Sequence, residues 1–397
     1  MDTSISWSNR FKAIVFGLGL GLALLTSGNW WKILTDHVPL CLQPNCVADF
    51  VMFHAQATLA WEDRHSLYDL EKQLAYQKKL APIEQVLPAV YPPSTFLLMA
   101  PLALAPFSAA FLAVTLLNLL LLAATLRRLT RALSLTPDQS QWLSLFTLCN
   151  FGVHAVVFYG QTSALVLYLM TRHVIATKQL QAQKAGAWAG LLCIKPQFLV
   201  IPHLVFLIRR SWPELVIGVL LSMSLIFGGF ALIGMATTKQ YFSLAQRMVS
   251  ADNDWWNQWR AMHNLRALTI YWLPGNWQPY VWAVGAIGTI AAVILINLRP
   301  DGNSREFATR WIINLLGLLI LIPHLFTHDL TLLVLPAALL LSLCDARVPV
   351  WVGIGLAVIG LLPALNYWAP TIMAVALLMM FTASLFLARG KFALPRK

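Results

Sequence analysis

The sequence predicts an all-α fold that crosses a membrane many times, and three observations predict it. Of 397 residues, 58% are hydrophobic and only 11% charged, with a mean hydropathy of +0.67, whereas charged residues make up roughly a quarter of an ordinary soluble domain. The hydrophobic residues fall in runs of about 18 to 25, the length a helix needs to cross roughly 30 Å of hydrocarbon. Those runs lack the residue-by-residue alternation of an outer-membrane barrel. We read residues 1–397 as a single integral membrane domain of about ten to twelve spans.

The net charge of +12 does not point to nucleic acid, because the basic residues are not gathered on one aromatic-interleaved face. They form short clusters between hydrophobic runs: Arg10 and Lys12; Arg127, Arg128 and Arg131; Arg172, Lys178 and Lys184; Arg209 and Arg210; Arg299, Arg305 and Arg310; and Arg389, Lys391, Arg396 and Lys397. By the positive-inside rule these loops and both termini face the cytoplasm, which predicts a multi-pass protein of the inner (plasma) membrane.

In chain order, residues 13–27 form a first hydrophobic segment extended by Trp30-Trp31, a pair suited to the membrane interface. No small-residue cleavage site follows cleanly, so the segment reads as a retained anchor. Residues 28–93 make a long external loop in which Phe50, Phe53, Ala57 and Trp61 recur at helical spacing. That spacing predicts an amphipathic helix lying in the interface, with Asp49 at the bilayer surface. A hydrophobic block over 94–126, broken by Pro101 and Pro106, is either one span preceded by a re-entrant piece or a tight hairpin. Residues 141–158 lead out to Tyr159-Gly160-Gln161 and 162–175 lead back.

The run 186–208 is interrupted at Lys195-Pro196. Proline removes a helix hydrogen bond and frees backbone groups, a combination found where irregular backbone lines a cavity. Residues 213–235 lead to a second external loop, 236–275, rich in Trp and Arg and holding His263 and Asn264. Beyond it come 277–297, 311–323 ending near His324 and His328-Asp329, 330–343, and the pair 350–367 and 370–388. Of five cysteines, Cys149, Cys193 and Cys344 sit in hydrophobic runs as small apolar residues. Cys41 and Cys46 flank an external loop, as a disulfide restraining the approach to Asp49 or as two unpaired thiols.

Ionisable groups away from the cytoplasmic loops are expensive at membrane depth, about 2.5 to 3.5 kcal/mol each on the insertion scale, and so are functional candidates. Asp49, Gln161, Lys195, His263, His328 and Asp329 all fall toward the external side. Taken singly each has a plain alternative. A loop carboxylate is usually solvated, a Trp- and Arg-rich loop usually anchors at an interface, a Lys-Pro can be a helix end with a snorkelling Lys, and His328-Asp329 can be a structural pair. Their common sidedness is what raises them. One carboxylate among cations and imidazoles suits group transfer from a lipid phosphate. The carboxylate would take a proton from an acceptor hydroxyl, and the cations would meet charge on the phosphate, without a metal or cofactor.

The chain resembles the polyprenol-phosphate-mannose-dependent mannosyltransferases and their bacterial relatives, glycosyltransferase family 87. The resemblance rests on Asp49-Phe50 with Leu67-Tyr68, Tyr91-Pro92-Pro93 with Ala100-Pro101-Leu102, Gly160-Gln161, Ile194-Lys195-Pro196, His263-Asn264, and Pro323 to Asp329 ahead of Leu330. It implies the GT-C fold and transfer of a hexose, typically mannose, from a polyprenyl-phosphate sugar donor to a glycolipid or glycan acceptor, with inversion, at the periplasmic or external face. It also implies Asp49 as general base, and a donor site drawn from Lys195, His263, His328, Gln161, Asn264, Tyr91 and Asp329, with His324 competing for the role of His328. Asp63 and Asp69 are alternative acids in the same loop. The rival class is a multispan transporter or flippase of lipid-linked glycans, which commonly carries repeats and midplane charges; this sequence shows no repeat.

Overall fold

The computed structural model describes residues 21, 24–41, 49–249, 262–299, 302–365 and 371–388. Among these residues the regular structure is helical: eighteen α-helices, short 3₁₀ segments, a π-helical turn, and one isolated bridge between Met262 and Phe326. The helices are α1 (Val38–Cys41), α2 (Asp49–Glu62), α3 (Leu70–Lys78), α4 (Pro93–Met99), α5 (Phe107–Ala132), α6 (Pro137–Cys149), α7 (Phe151–Tyr159), α8 (Ser163–Lys178) and α9 (Ala182–Gly190). They continue as α10 (Val200–Ile208), α11 (Trp212–Ile233), α12 (Met235–Val249), α13 (Leu265–Trp272), α14 (Gln278–Asn297), α15 (Ser304–Leu321), α16 (Val334–Leu341), α17 (Val350–Leu361) and α18 (Ile372–Ala388).

Three described helices, α5, α11 and α14, are long and apolar enough to cross a membrane singly, and α6 with α7, bent by 52° at Asn150, makes a fourth candidate. Five shorter apolar helices accompany them among the described residues, so the sequence's about ten to twelve spans divide into a few long single helices and several short ones. The hydrophobic runs are where the sequence puts them, but breaks cut most into shorter helices such as Pro196–Ile208 and Thr327–Leu341. The first run, 13–27, lies mainly outside the described residues. In the ambiguous block, Pro93–Leu104 forms a short helix running into a 3₁₀ turn, and Pro106 then caps one continuous 26-residue α5. The block is thus a short helix followed by one long one. Proline at a helix start gives up an N–H that would have had no partner there, which is why these prolines punctuate without kinking.

The core is built on α15 and the segment from Thr327 to Leu341. From Trp311 to Ile320 every residue of α15 is buried, as expected of a helix that is apolar all round and sits inside a bundle. It packs on α14, α16 and α18, while the 3₁₀ segment Thr327–Leu333 packs on α7 and α8. A second apolar cluster joins α2, α4 and α5 through Phe50, Phe53, Phe96 and Phe111. Here α2 departs from the interfacial helix expected of it. Phe50, Val51, Met52, Phe53, Ala55, Ala57, Leu59 and Ala60 are all buried, so the helix is enclosed on every side. Each fully buried Phe contributes about 1.5–3 kcal/mol to that placement. At its C-terminal end Trp61, 59% exposed, and Glu62 lie free of the packing.

Two contacts orient the bundle. Lys178 Nζ donates to the Ala132 carbonyl (2.8 Å), joining the C-terminal ends of α5 and α8, and Asn118 Nδ2 donates to the Gln161 carbonyl (3.0 Å). The two helices therefore run parallel. Gln161 lies level with a point eleven residues into α5, about 16 Å along it at a rise of about 1.5 Å per residue. The basic residues Arg127, Arg128, Arg131 and Lys178 share the opposite end. Arg310, expected in a loop, is instead 4% exposed within α15, donating to the Arg299 carbonyl (3.2 Å).

Candidate functional site

Gln161 follows a glycine that permits a sharp reversal. Gly160 ends α7 in the left-handed region, φ 63°, and a Cβ there would lie 2.8 Å from Phe50 Cβ, so the α7–α8 turn is pressed onto the start of α2. This brings the side-chain amide of Gln161 to Asp49, with Nε2 donating to Oδ2 at 2.6 Å. Two residues further on, Ser163 Oγ donates to Asp329 Oδ1 (2.9 Å), and Lys195 Nζ donates both to Ser163 Oγ (3.0 Å) and to Asp329 Oδ1 (2.8 Å). His328 Nε2 lies 3.6 Å from the same carboxylate oxygen.

The Lys195-Pro196 break is what places the ammonium. Lys195 has φ −131° and ψ 88° between two 3₁₀ turns, Leu191–Ile194 and Pro196–Leu199, outside the helical region that a following proline disfavours. Thr95 Oγ1 of α4 donates to the Ile194 carbonyl (3.0 Å) and fixes the break from its other side. The Tyr91 ring centre is 5.9 Å from Lys195 Nζ, and the Tyr91 carbonyl accepts from Tyr68 Oη at 2.6 Å. Tyr68 in turn lines a cleft of about 430 Å³ with Leu70, Lys239, Gln240, Ser243, Leu244 and Arg247.

Just ahead of α13, His263 N donates to the Leu325 carbonyl (2.9 Å), and its Nε2 is 2.9 Å from Thr327 Oγ1. Asn264 donates to the Ile322 carbonyl (2.5 Å) and accepts from Ala267 N (2.9 Å) as the cap of α13. Both ends of its amide are thus used by backbone. The region around Thr327 to Asp329 consequently carries His263, His328 and Asp329 together. His324 instead pairs with Arg266 Nη1 at 3.2 Å.

The groups differ in charge and access. Lys195 and Asp329 are each 1% exposed, whereas Asp49 is partly exposed. Burial holds the Asp49 carboxyl above the usual carboxylate range, opposed by the Gln161 hydrogen bond and by the charge of Lys195, with Asp329 adding to the rise. Burial pushes His263 down to about 3, so it enters as a neutral imidazole.

The eight expected site residues are brought to this one end of α7 and α8, but not to equal depth or with equal freedom. The alternative acids are engaged elsewhere: Asp63 in an exposed pair with Lys72 (2.7 Å), and Asp69 capping α3 through the backbone N–H groups of Glu71 and Lys72. Cys41 is disulfide-bonded, while Cys46 lies outside the described residues; Cys149, Cys193 and Cys344 are free. Ser163, Thr95 and Asn118 are site-forming residues that sequence reasoning passed over. Their one signal was a polar side chain inside an apolar run.

No curated protein and no solved structure matches the chain. The model of glycosyltransferase family 87 matches residues 89–323, over half its length. The matched stretch takes in Tyr91, Gln161, Lys195, His263 and Asn264, while Asp49, His328 and Asp329 flank it. With an all-α membrane architecture and a match of that extent, the chain belongs to glycosyltransferase family 87 and is a membrane glycosyltransferase.

Proposed function

We propose that this glycosyltransferase moves a hexose, mannose first among the candidates, from a polyprenyl-phosphate donor to a glycolipid or glycan acceptor, with inversion, at the outer face of the plasma membrane. The observation that carries the reading is that Asp49 is a partly exposed carboxylate with a raised pKa in the same polar cluster as Lys195. A base has to be both reachable and proton-hungry, and burial supplies the second property.

In the proposed step the acceptor hydroxyl gives its proton to Asp49 as its oxygen bonds to the anomeric carbon. The bond from that carbon to the phosphate oxygen breaks, and its electron pair leaves with the polyprenyl phosphate. Lys195 has three protons, two of them committed to Asp329 and Ser163, and a phosphate oxygen would compete with the Tyr91 side chain for the third. The imidazole N–H groups of His328 and His263 add neutral donors where charge develops on the leaving group. A membrane-held donor also answers a physical need, since nucleotide sugars do not reach the outer face. With the basic loops inside, both termini are cytoplasmic.

The test is Asp49→Asn, which keeps shape and removes basicity. Purified protein is incubated with labelled polyprenyl-phosphate mannose and a membrane lipid extract. Turnover should fall by about 10² to 10⁴-fold, the range general-base catalysis supplies, with the melting temperature unchanged. Wild-type turnover would reject Asp49 as the base.

A further inference from the structure

Two dipeptides face each other at the site. Asp49 receives the Gln161 amide while its neighbour Phe50 closes over Gly160, the neighbour of Gln161. Gln161 is itself held from behind: its backbone N–H donates to the Val156 carbonyl (3.1 Å), and its carbonyl accepts from Asn118 (3.0 Å). An ionised carboxylate only accepts, so the amide must present its NH₂ end to Asp49. The amide oxygen then has no partner among the described residues.

We infer that Gln161 is a positioning residue for Asp49, its amide fixing Oδ2 in place and leaving Oδ1 as the oxygen that receives the acceptor's proton, with Asn118 supporting the amide through the backbone. The inference rests on the reading of Asp49 as base, and it reassigns Gln161 from substrate binding to the base itself.

The choice of residue type fits the task. A neutral donor favours the ionised carboxylate, so it offsets part of the rise that burial produces, yet it does so without the full charge that would remove the carboxylate's affinity for a proton. A Lys at 161 would over-stabilise the anion, and a second carboxylate would force the pair to share a proton. Because the Asp49 pKa is raised, activity falls as pH drops through it. Removing the Gln161 donor raises it further, so the acid limb must move to higher pH.

The experiment compares pH–rate profiles of the full chain and its variants with polyprenyl-phosphate mannose and the lipid extract. Gln161→Leu should lower kcat by about 10- to 100-fold, leave the donor KM within about twofold, and move the acid limb up by about one pH unit. Gln161→Glu should move it further, and Asn118→Ala should move it less, in the same direction. The same shift is read without turnover, from the pH at which the infrared carboxyl band lost in Asp49→Asn appears. Should Gln161→Leu fail to fold, Gln161→Asn, which retracts the amide by one methylene, carries the test. An unmoved acid limb together with a raised donor KM would overturn the inference and return Gln161 to the substrate. Inactive Asp49→Asn with that result sinks only this inference, whereas active Asp49→Asn sinks the base reading beneath it.

Discussion

Asp49 and Asp329 occupy one polar cluster and are handled in opposite ways. Asp329 is 1% exposed and saturated: Lys195 and Ser163 reach Oδ1, the Phe326 N–H reaches Oδ2 (3.4 Å), and His328 stands 3.6 Å away. Asp49 is partly exposed and has one neutral donor at Oδ2. The difference separates two uses of a carboxylate in a largely buried polar cluster. A saturated, sealed anion holds structure together, and here it ties the Lys195-Pro196 break to the Thr327–Leu333 segment across 134 residues of sequence. An accessible anion with an open oxygen can exchange a proton.

The largest effect on stability follows from the sealed side. Asp329→Ala leaves the Lys195 ammonium buried without its counter-charge, which costs about 3–5 kcal/mol for a buried pair broken on one side. Thermal unfolding in detergent should show a large fall in melting temperature, where Asp49→Asn shows none. Removing both charges, as Lys195→Met with Asp329→Leu, should restore most of the stability, because a buried pair roughly breaks even against apolar residues of similar volume. If Asp329→Ala melts like wild type, the contrast between the two carboxylates is wrong.

This contrast also marks how far the sequence could be read. Helix positions were legible because prolines and basic clusters punctuate the runs: Pro106 opens α5, and Lys195-Pro196 breaks its run as expected. The convergence of Asp49, Gln161, Lys195, His263 and His328 was legible from sidedness alone. Pairing was not. The spacing of Lys195 and Asp329 in sequence carries no information about contact, so Lys195 read as a free cation and Asp329 as a partner of its neighbour His328. For α2 the error was one of selection. Phe50, Phe53, Ala57 and Trp61 do share a stripe, but Val51, Met52, Ala55, Leu59 and Ala60 fill the remaining faces, and a helix apolar all round is enclosed.

Gly160 sharpens the comparison from the Asp49 side. Alanine there meets two penalties: a left-handed backbone that disfavours a Cβ, about 1–2 kcal/mol, and overpacking against Phe50, about 1–3 kcal/mol. We expect Gly160→Ala to destabilise by about 2–4 kcal/mol and to lower turnover more than its stability loss explains, because the turn that carries Gln161 must shift. Gly228→Ala in α11 is the control, since nothing lies within 4 Å of its added Cβ; there alanine should be neutral or slightly stabilising. Equal behaviour of the two variants would show that the turn has slack, and the placement of Gln161 would then need another cause.

The smallest effect tests whether the Lys195 break is held by charge alone. Thr95 is 2% exposed, and its hydroxyl donates to the Ile194 carbonyl directly before Lys195. Thr95→Val keeps the volume and deletes that bond. The loss should be about 1 kcal/mol, the net worth of one neutral hydrogen bond, and at the upper end if the freed carbonyl finds no water. The ion pair to Asp329 remains in Thr95→Val, so the ammonium stays in the cluster while its backbone loosens. Donor KM should then rise modestly, with kcat and the acid limb unchanged, because Asp49 and Gln161 are held by α2 and the α7–α8 turn and not by the break. A change in the acid limb would mean that the two halves of the cluster move as one body, and the division between a structural and a reactive carboxylate would fail at its weakest joint.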